Sequence, residues 1–122
     1  MTAQPGFSVY AVNLMLAALP NTVYVKQHVG PPGSAGTANP SAVTTRQSAT
    51  LGAASGGVRS LTTSPAFTET ATETETWVSL WDASTSGNFL VAGILTTPQA
   101  EQNGYTFTLN VCTIDLTNLL AS

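Results

Sequence analysis

The residues able to do chemistry are few. Glu69, Glu73 and Glu75 form the one acidic run. In an extended chain, side chains two apart share a face, so Glu73 and Glu75 would project together and could touch Ca²⁺ or Mg²⁺. Most such runs stand in solvent and keep an edge strand from pairing with strangers. That is the expectation here, with no metal ligand set. The segment DASTSGN, from Asp82 to Asn88, has oxygen side chains at alternate positions and Gly87 at the sixth, as a calcium loop has. Gly93 stands at the twelfth position, where a bidentate Glu belongs, so a hairpin turn is the better reading.

His28 is the sole imidazole and Cys112 the sole thiol. Nucleophilic catalysis needs a base and an orienting group brought to the nucleophile. One His, with Asp82 and Asp115 as remote candidates to orient it, does not make that set. Nor can one Cys and one His make a structural zinc site or an intrachain disulfide. Cys112 reads as a small core or interface residue. No catalytic residue, cofactor site or enzymatic activity is expected. Tyr24, Trp77, Trp81, Phe89, Tyr105 and Phe107 could include a sugar-stacking pair. In a β domain of this size, however, some large aromatics must fill the core, so at least one of Trp77 and Trp81 is assigned there.

The elements that must hold these residues follow from periodicity. Residues 8–19 form the helix candidate. Ser8 can cap it, Pro20 stops it, and Phe7, Tyr10, Ala11, Leu14, Met15, Ala18 and Leu19 make a broad apolar face. That face is expected against a sheet or a partner subunit. From residue 22 the alternation becomes β, with strands expected at 22–28, 44–51, 58–63, 67–70, 75–82, 89–95 and 105–116. In the strand at 75–82, Trp77, Ser79 and Trp81 point one way and Val78 and Leu80 the other. The run 89–95 suits a buried strand, and 96–104, with Pro98, a loop. In 105–116, Tyr105, Phe107, Leu109 and Val111 share a face. GAASGG, between 51 and 58, is a hairpin turn region. Residues 30–42 (GPPGSAGTANPSA) form a Gly/Pro loop longer than most connections, the kind that makes contacts. The expected fold is mainly β: a single small antiparallel β-sandwich or jelly-roll-like domain over residues 1–122, with one N-terminal helix.

Composition narrows the class further. Only 7% of the 122 residues are charged, against roughly 25% in an average soluble protein. A surface of Thr, Ser, Asn, Gln and Ala has few charges to desolvate against a partner, which favours assembly. Lys26, Arg46 and Arg59 are the only basic side chains and the net charge is −3. Nucleic-acid binding and a polybasic membrane patch are thereby excluded. The apolar stretch 9–19 lacks a basic flank and is too short to span a bilayer, so it reads as part of the fold.

Taken in order, several segments carry a further signal. They are VYVKQHVGPPGSAGT from Val23, TTRQ from Thr44, LGAASGG from Leu51, TWVSLWDASTSGNFL from Thr76, GILTTP from Gly93 and GYTFT from Gly104. In this order and spacing the chain resembles, nearly end to end, a family of small phage structural proteins. They are often labelled tail fibre or minor tail proteins and are common among phages of actinobacteria. Where that family usually has an acidic residue in the loop after His28, this chain has Pro31. The resemblance implies a virion component made in the bacterial host cytoplasm, without enzymatic activity, and carries over no catalytic or ligand residue.

Compactness and the absence of heptads or fibre repeats favour a capsid decoration protein on the particle exterior. Its expected partners are copies of itself and the major capsid protein. The alternatives are a minor tail or fibre protein meeting tail proteins and the host surface, and, more remotely, a glycan-binding β domain. The candidate assembly contacts are Tyr10, Leu14 and Met15 on the helix, and Pro31, Pro32, Asn39 and Pro40 in the loop.

Overall fold

A computed structural model describes residues 3 and 5–121. The chain runs as α1 (Val9–Ala17), β1 (Thr22–His28), β2 (Gln47–Thr50), β3 (Val58–Ser60), β4 (Ala66–Thr68), β5 (Glu73–Trp81), β6 (Phe89–Glu101), β7 (Thr106–Thr108) and β8 (Thr113–Asp115), then a 3₁₀ turn, Thr117–Leu119. It is mainly β and antiparallel, with a helix near the N-terminus, as the alternation required.

The helix starts where a side chain can take an unpaired first-turn N–H: Ser8 Oγ accepts from the Ala11 N–H at 3.0 Å. Its C-terminal carbonyls are met by the buried Arg59. The Nη1 of Arg59 donates to Leu16 O and Leu19 O, both at 2.8 Å, its Nη2 to Asn21 Oδ1 and its Nε to Gly52 O, both at 2.7 Å. One of only three cations is thus spent on a helix end, where carbonyl dipoles favour positive charge.

The main sheet has the order β2-β1-β5-β6. Its inner face presents Val23, Val25, Ala49, Val78 and Leu80. Val12 and Leu16 of α1, with Phe67, Phe107 and Ile114 from the ribbons β4–β7 and β3–β8, close over it to make the core. Phe67 and Phe107 sit opposite each other across their ribbon, rings 6.1 Å apart. The turn from Ser55 to Val58 carries positive φ at both Gly56 and Gly57, as a two-residue primed hairpin turn demands.

Four expectations change. First, the face of α1 that meets the core is the Val12–Leu16 stripe, while Tyr10, Leu14 and Met15 point outward. Second, residues 89–95 are not a buried strand. They begin β6, which lies at the sheet edge, half-covered and with Ile94 67% exposed, and the strand runs on through the expected loop to Glu101. Third, 105–116 is two strands, because β7 pairs with β4 and β8 with β3. The change of partner breaks the alternation, so Phe107 and Leu109 are buried while Tyr105 and Val111 are 55% and 75% exposed. Fourth, β6 bulges where it pairs with β5. Glu75 lies opposite Gln99 and Trp77 opposite Ile94, so β6 has extra residues there, Pro98 among them. Pro lacks an N–H for the ladder and settles at such an irregularity. The odd step inverts the parity of β6, and beside it Glu75 is buried together with Glu69.

Candidate assembly surface and buried polar centres

Every residue of α1 except Asn13 is apolar. Asn13 is already used inside the chain, where its Oδ1 accepts from the Gly57 N–H at 2.9 Å. The outward side is therefore apolar without interruption: Phe7 just before the helix, then Val9, Tyr10, Leu14 and Met15, with Tyr10 74% and Leu14 54% exposed. A helix apolar all round is a buried helix in a finished structure. A shallow depression of about 350 Å³ beside it is lined by Tyr10, Leu14, Ala17, Ala53 and Ala54 together with Asn13, Asn21 and Arg59. Ile94 and Val111 flank a second groove of about 600 Å³, between β6 and the segment 107–113.

On the outer face of the main sheet lies the first buried polar centre. His28 and Ser79 are both fully buried. His28 Nδ1 lies 2.9 Å from Ala38 O, and a carbonyl can only accept, so Nδ1 carries the proton. Nε2, 2.7 Å from Ser79 Oγ, is then the acceptor of the Ser79 hydroxyl, and Ser79 Oγ in turn accepts from Trp81 Nε1–H at 2.8 Å. Every donor in this relay has an acceptor. Burial lowers the His28 pKa from its ordinary 6.5, with the Ala38 carbonyl pulling the other way. The relay resembles a Ser–His pair, but no surface is left through which a substrate could reach it. What it does is fasten the Gly/Pro loop to the sheet. Asn39 Nδ2 donates to Pro31 O at 2.8 Å within that loop. Gly36, at φ +75, lies so near the Phe89 ring that a Cβ would stand 2.5 Å from it.

Trp81 is covered on this face, with the Arg46 guanidinium 4.0 Å over its ring and Phe89 5.5 Å away, so it offers no platform to a sugar. Asp82 closes the following turn by accepting from the Asn88 N–H at 2.7 Å and its Nδ2 at 2.8 Å, which holds its carboxyl below the usual range. This is the turn expected for DASTSGN.

The second polar centre is the acidic run, and it does not stand in solvent. Glu69 and Glu75 are buried, Glu73 half-buried, and one carboxylate oxygen from each lies within 4.8 Å of the others. Glu75 lies beside the β6 bulge, Glu69 follows β4, and Gln27 reaches Glu69 from the inner face of β1, donating from Nε2 to Glu69 Oε1 at 2.7 Å. Ser41 Oγ donates to Glu73 and lies 3.3 Å from Glu75 Oε1, while the Ala42 N–H donates to Glu73 at 3.1 and 3.2 Å. Burial pushes the Glu75 pKa up to about 9, reinforced by its hydrogen bond to Glu73 and by the charges of Glu73 and Glu69. Glu69 is also raised by burial. Burial works against the Glu73 charge too, but the hydrogen bonds from Glu75, Ser41 and Ala42 outweigh it, and its pKa falls.

The family model of Gp80, the podophage GP4 fiber I protein gp80, matches residues 10–117, from inside α1 to the 3₁₀ turn. The chain belongs to the Gp80 family. It is a phage structural protein, and no curated protein matches it. Among the described residues, no helix is long and apolar enough to cross a membrane.

In this Gp80-family chain the sequence-predicted contacts lie in two places. Tyr10, Leu14 and Met15 are together on the outward helix face. In the loop, Pro31, Asn39 and Pro40 are exposed, but Pro32 is buried in the chain itself and presents no side chain to a partner. Sequence reasoning missed the burial of Glu69 and Glu75. The bulge beside Glu75 depends on how β5 pairs with β6, and only Pro98, read as a loop residue, marked the place.

Proposed function

We propose that this chain is a non-enzymatic module on the exterior of the phage particle, carried on its fibre or tail and joined to further copies of itself through the outward face of α1. The observation that carries the assembly reading is the helix itself, whose one polar side chain is used internally while Val9, Tyr10, Leu14 and Met15 face outward. A low-charge surface has little to desolvate around such a face. The fibre label of the Gp80 family supports placement on the fibre, and the sequence resemblance points to phages of actinobacteria.

Capsid decoration is the second reading. Short ribbons packed on one sheet, with no fibrous repeat, suit a lattice-bound knob as well as a fibre module. Copy number separates the two. Quantitative mass spectrometry of purified particles should return a small number of copies relative to the major capsid protein. A ratio near one, or a simple fraction of it, would move the protein to the capsid lattice. In solution, Leu14→Arg should convert a symmetric oligomer into a monomer by light scattering, and an unchanged mass would remove α1 from the interface.

A further inference from the structure

We infer that Glu69, Glu73 and Glu75, together with Gln27, form a binding site for one divalent cation, calcium rather than magnesium. Carboxylate oxygens bind Ca²⁺ at 2.3–2.6 Å, so two oxygens on one ion stand at most about 5 Å apart. The three carboxylates already offer oxygens within 4.8 Å of one another. Magnesium, at 2.0–2.1 Å, would draw them closer than about 4.2 Å and keeps several waters, for which a buried all-oxygen site has little room.

The independent observation is the set of buried atoms that lack a partner. Among the described residues, the buried side-chain nitrogen and oxygen atoms without a hydrogen bond are Gln27 Oε1, Glu69 Oε2 and Glu75 Oε2. All three are acceptors, and all belong to this cluster. The Gln27 side chain is wholly buried with its amide nitrogen on Glu69, so its unpartnered Oε1 stands one amide width from that carboxylate. Native proteins leave few such groups unsatisfied, and here what is missing is positive charge rather than another acceptor.

The chain's own cations do not supply it. Arg59 is engaged at the end of α1, Arg46 bonds Ala83 O and Ser86 O, and Lys26 alternates onto the opposite sheet face from Gln27. A proton on Glu75 can answer Glu73 or Glu69 but not both, and it leaves Gln27 Oε1 as it is. Half-exposed Glu73 provides the way in from solvent. A bound ion would tie the main sheet, through Gln27 and Glu75, to the chain following β4, through Glu69.

The test is thermal melting of the full chain, stripped with EDTA, at pH 7.5 with 5 mM CaCl₂, 5 mM MgCl₂ or neither, together with native mass spectrometry. Calcium should raise the melting temperature by about 5 °C or more, as a ligand that binds only the folded state does in large excess over its Kd, with one ion retained per chain. Glu73→Gln/Glu75→Gln should abolish the rise, and the near-isosteric Glu75→Gln alone serves if the double variant does not fold. No shift with either ion and no ion by mass would overturn the site. An equal shift in the variant would place the ion elsewhere and also overturn it. A response to magnesium and not to calcium would overturn the choice of ion.

Discussion

The strand β5 contributes to two buried polar centres, one on each side of the β6 bulge along its length, and the two are built differently. On the outer face, His28, Ser79, Trp81 and the Ala38 carbonyl form a relay in which each donor meets an acceptor. Beyond the bulge, Glu69, Glu75 and Gln27 leave three buried oxygens without a donor. Burial alone therefore does not distinguish a structural clamp from a site: the first centre is complete as it stands, and the second is completed only by a proton or an ion. The same desolvation also moves the two in opposite directions, disfavouring imidazolium at His28 and carboxylate at Glu75.

The comparison breaks first at His28. His28→Ala should cost about 3 kcal/mol by urea denaturation, since it leaves the Ser79 hydroxyl without its acceptor, opens a cavity and releases the loop. The loop should then become cleavable by protease near residues 33–38. A cost under about 1 kcal/mol would show that the relay does not hold the loop.

A smaller effect sharpens the contrast through pH. His28 has a lowered folded pKa, so its contribution is complete above 6.5 and is lost as pH falls through the folded value. Glu75 has a folded pKa raised from 4.5 to about 9, so its contribution is complete below 4.5 and is lost as pH rises toward 9. Its neighbours Glu69, Glu73 and Glu101 are all acidic, and Glu69 shifts in the same direction. In EDTA, stability should decline from pH 6.5 to 8.5 by at most about 1.4 kcal/mol per unit. A flat profile over that window would mean that Glu75 is not protonated.

The smallest effect isolates the two centres. Glu75→Gln mimics the protonated acid, so in EDTA at pH 8 it should be at least as stable as the parent, to within about 1 kcal/mol. It should also remove most of the alkaline decline while leaving the acid loss that belongs to His28. Strong destabilisation would show that the carboxylate itself is needed without an ion.

Much of the frame was legible from local signals. Ser8 and Pro20 bounded the helix, Gly56–Gly57 made the turn that GAASGG announced, and the alternation over 77–81 set Val78 and Leu80 on the face opposite Trp77 and Trp81. What was illegible depends on pairing between distant strands. The run 89–95 is apolar enough for a central strand, yet β6 is at the edge because nothing among the described residues pairs beyond it. Residues 105–111 alternate, and the apolar positions shift to 112, 114 and 116 where the backbone changes partner from β4 to β3, a change of phase that was read as one strand. The glutamates looked solvated because burial of this kind leaves no mark in hydropathy. The apolar helix face read from the sequence was assigned to a sheet or a partner subunit, and it is not the face that meets the sheet, because a segment with a single polar residue gives no phase to choose by.

The edge position of β6 bears on how the protein must be handled and made. Its thirteen residues contain no charge before Glu101, so the strand is a template on which another extended chain can add. Natural edges are guarded by charge, proline or a bulge, and here Pro98 and the bulge opposite β5 interrupt the template about two-thirds of the way along. Replacing Pro98 with a β-branched residue would lengthen the sticky segment, and newly made chains waiting at high concentration in an infected cell would then be drawn into aggregates instead of particles.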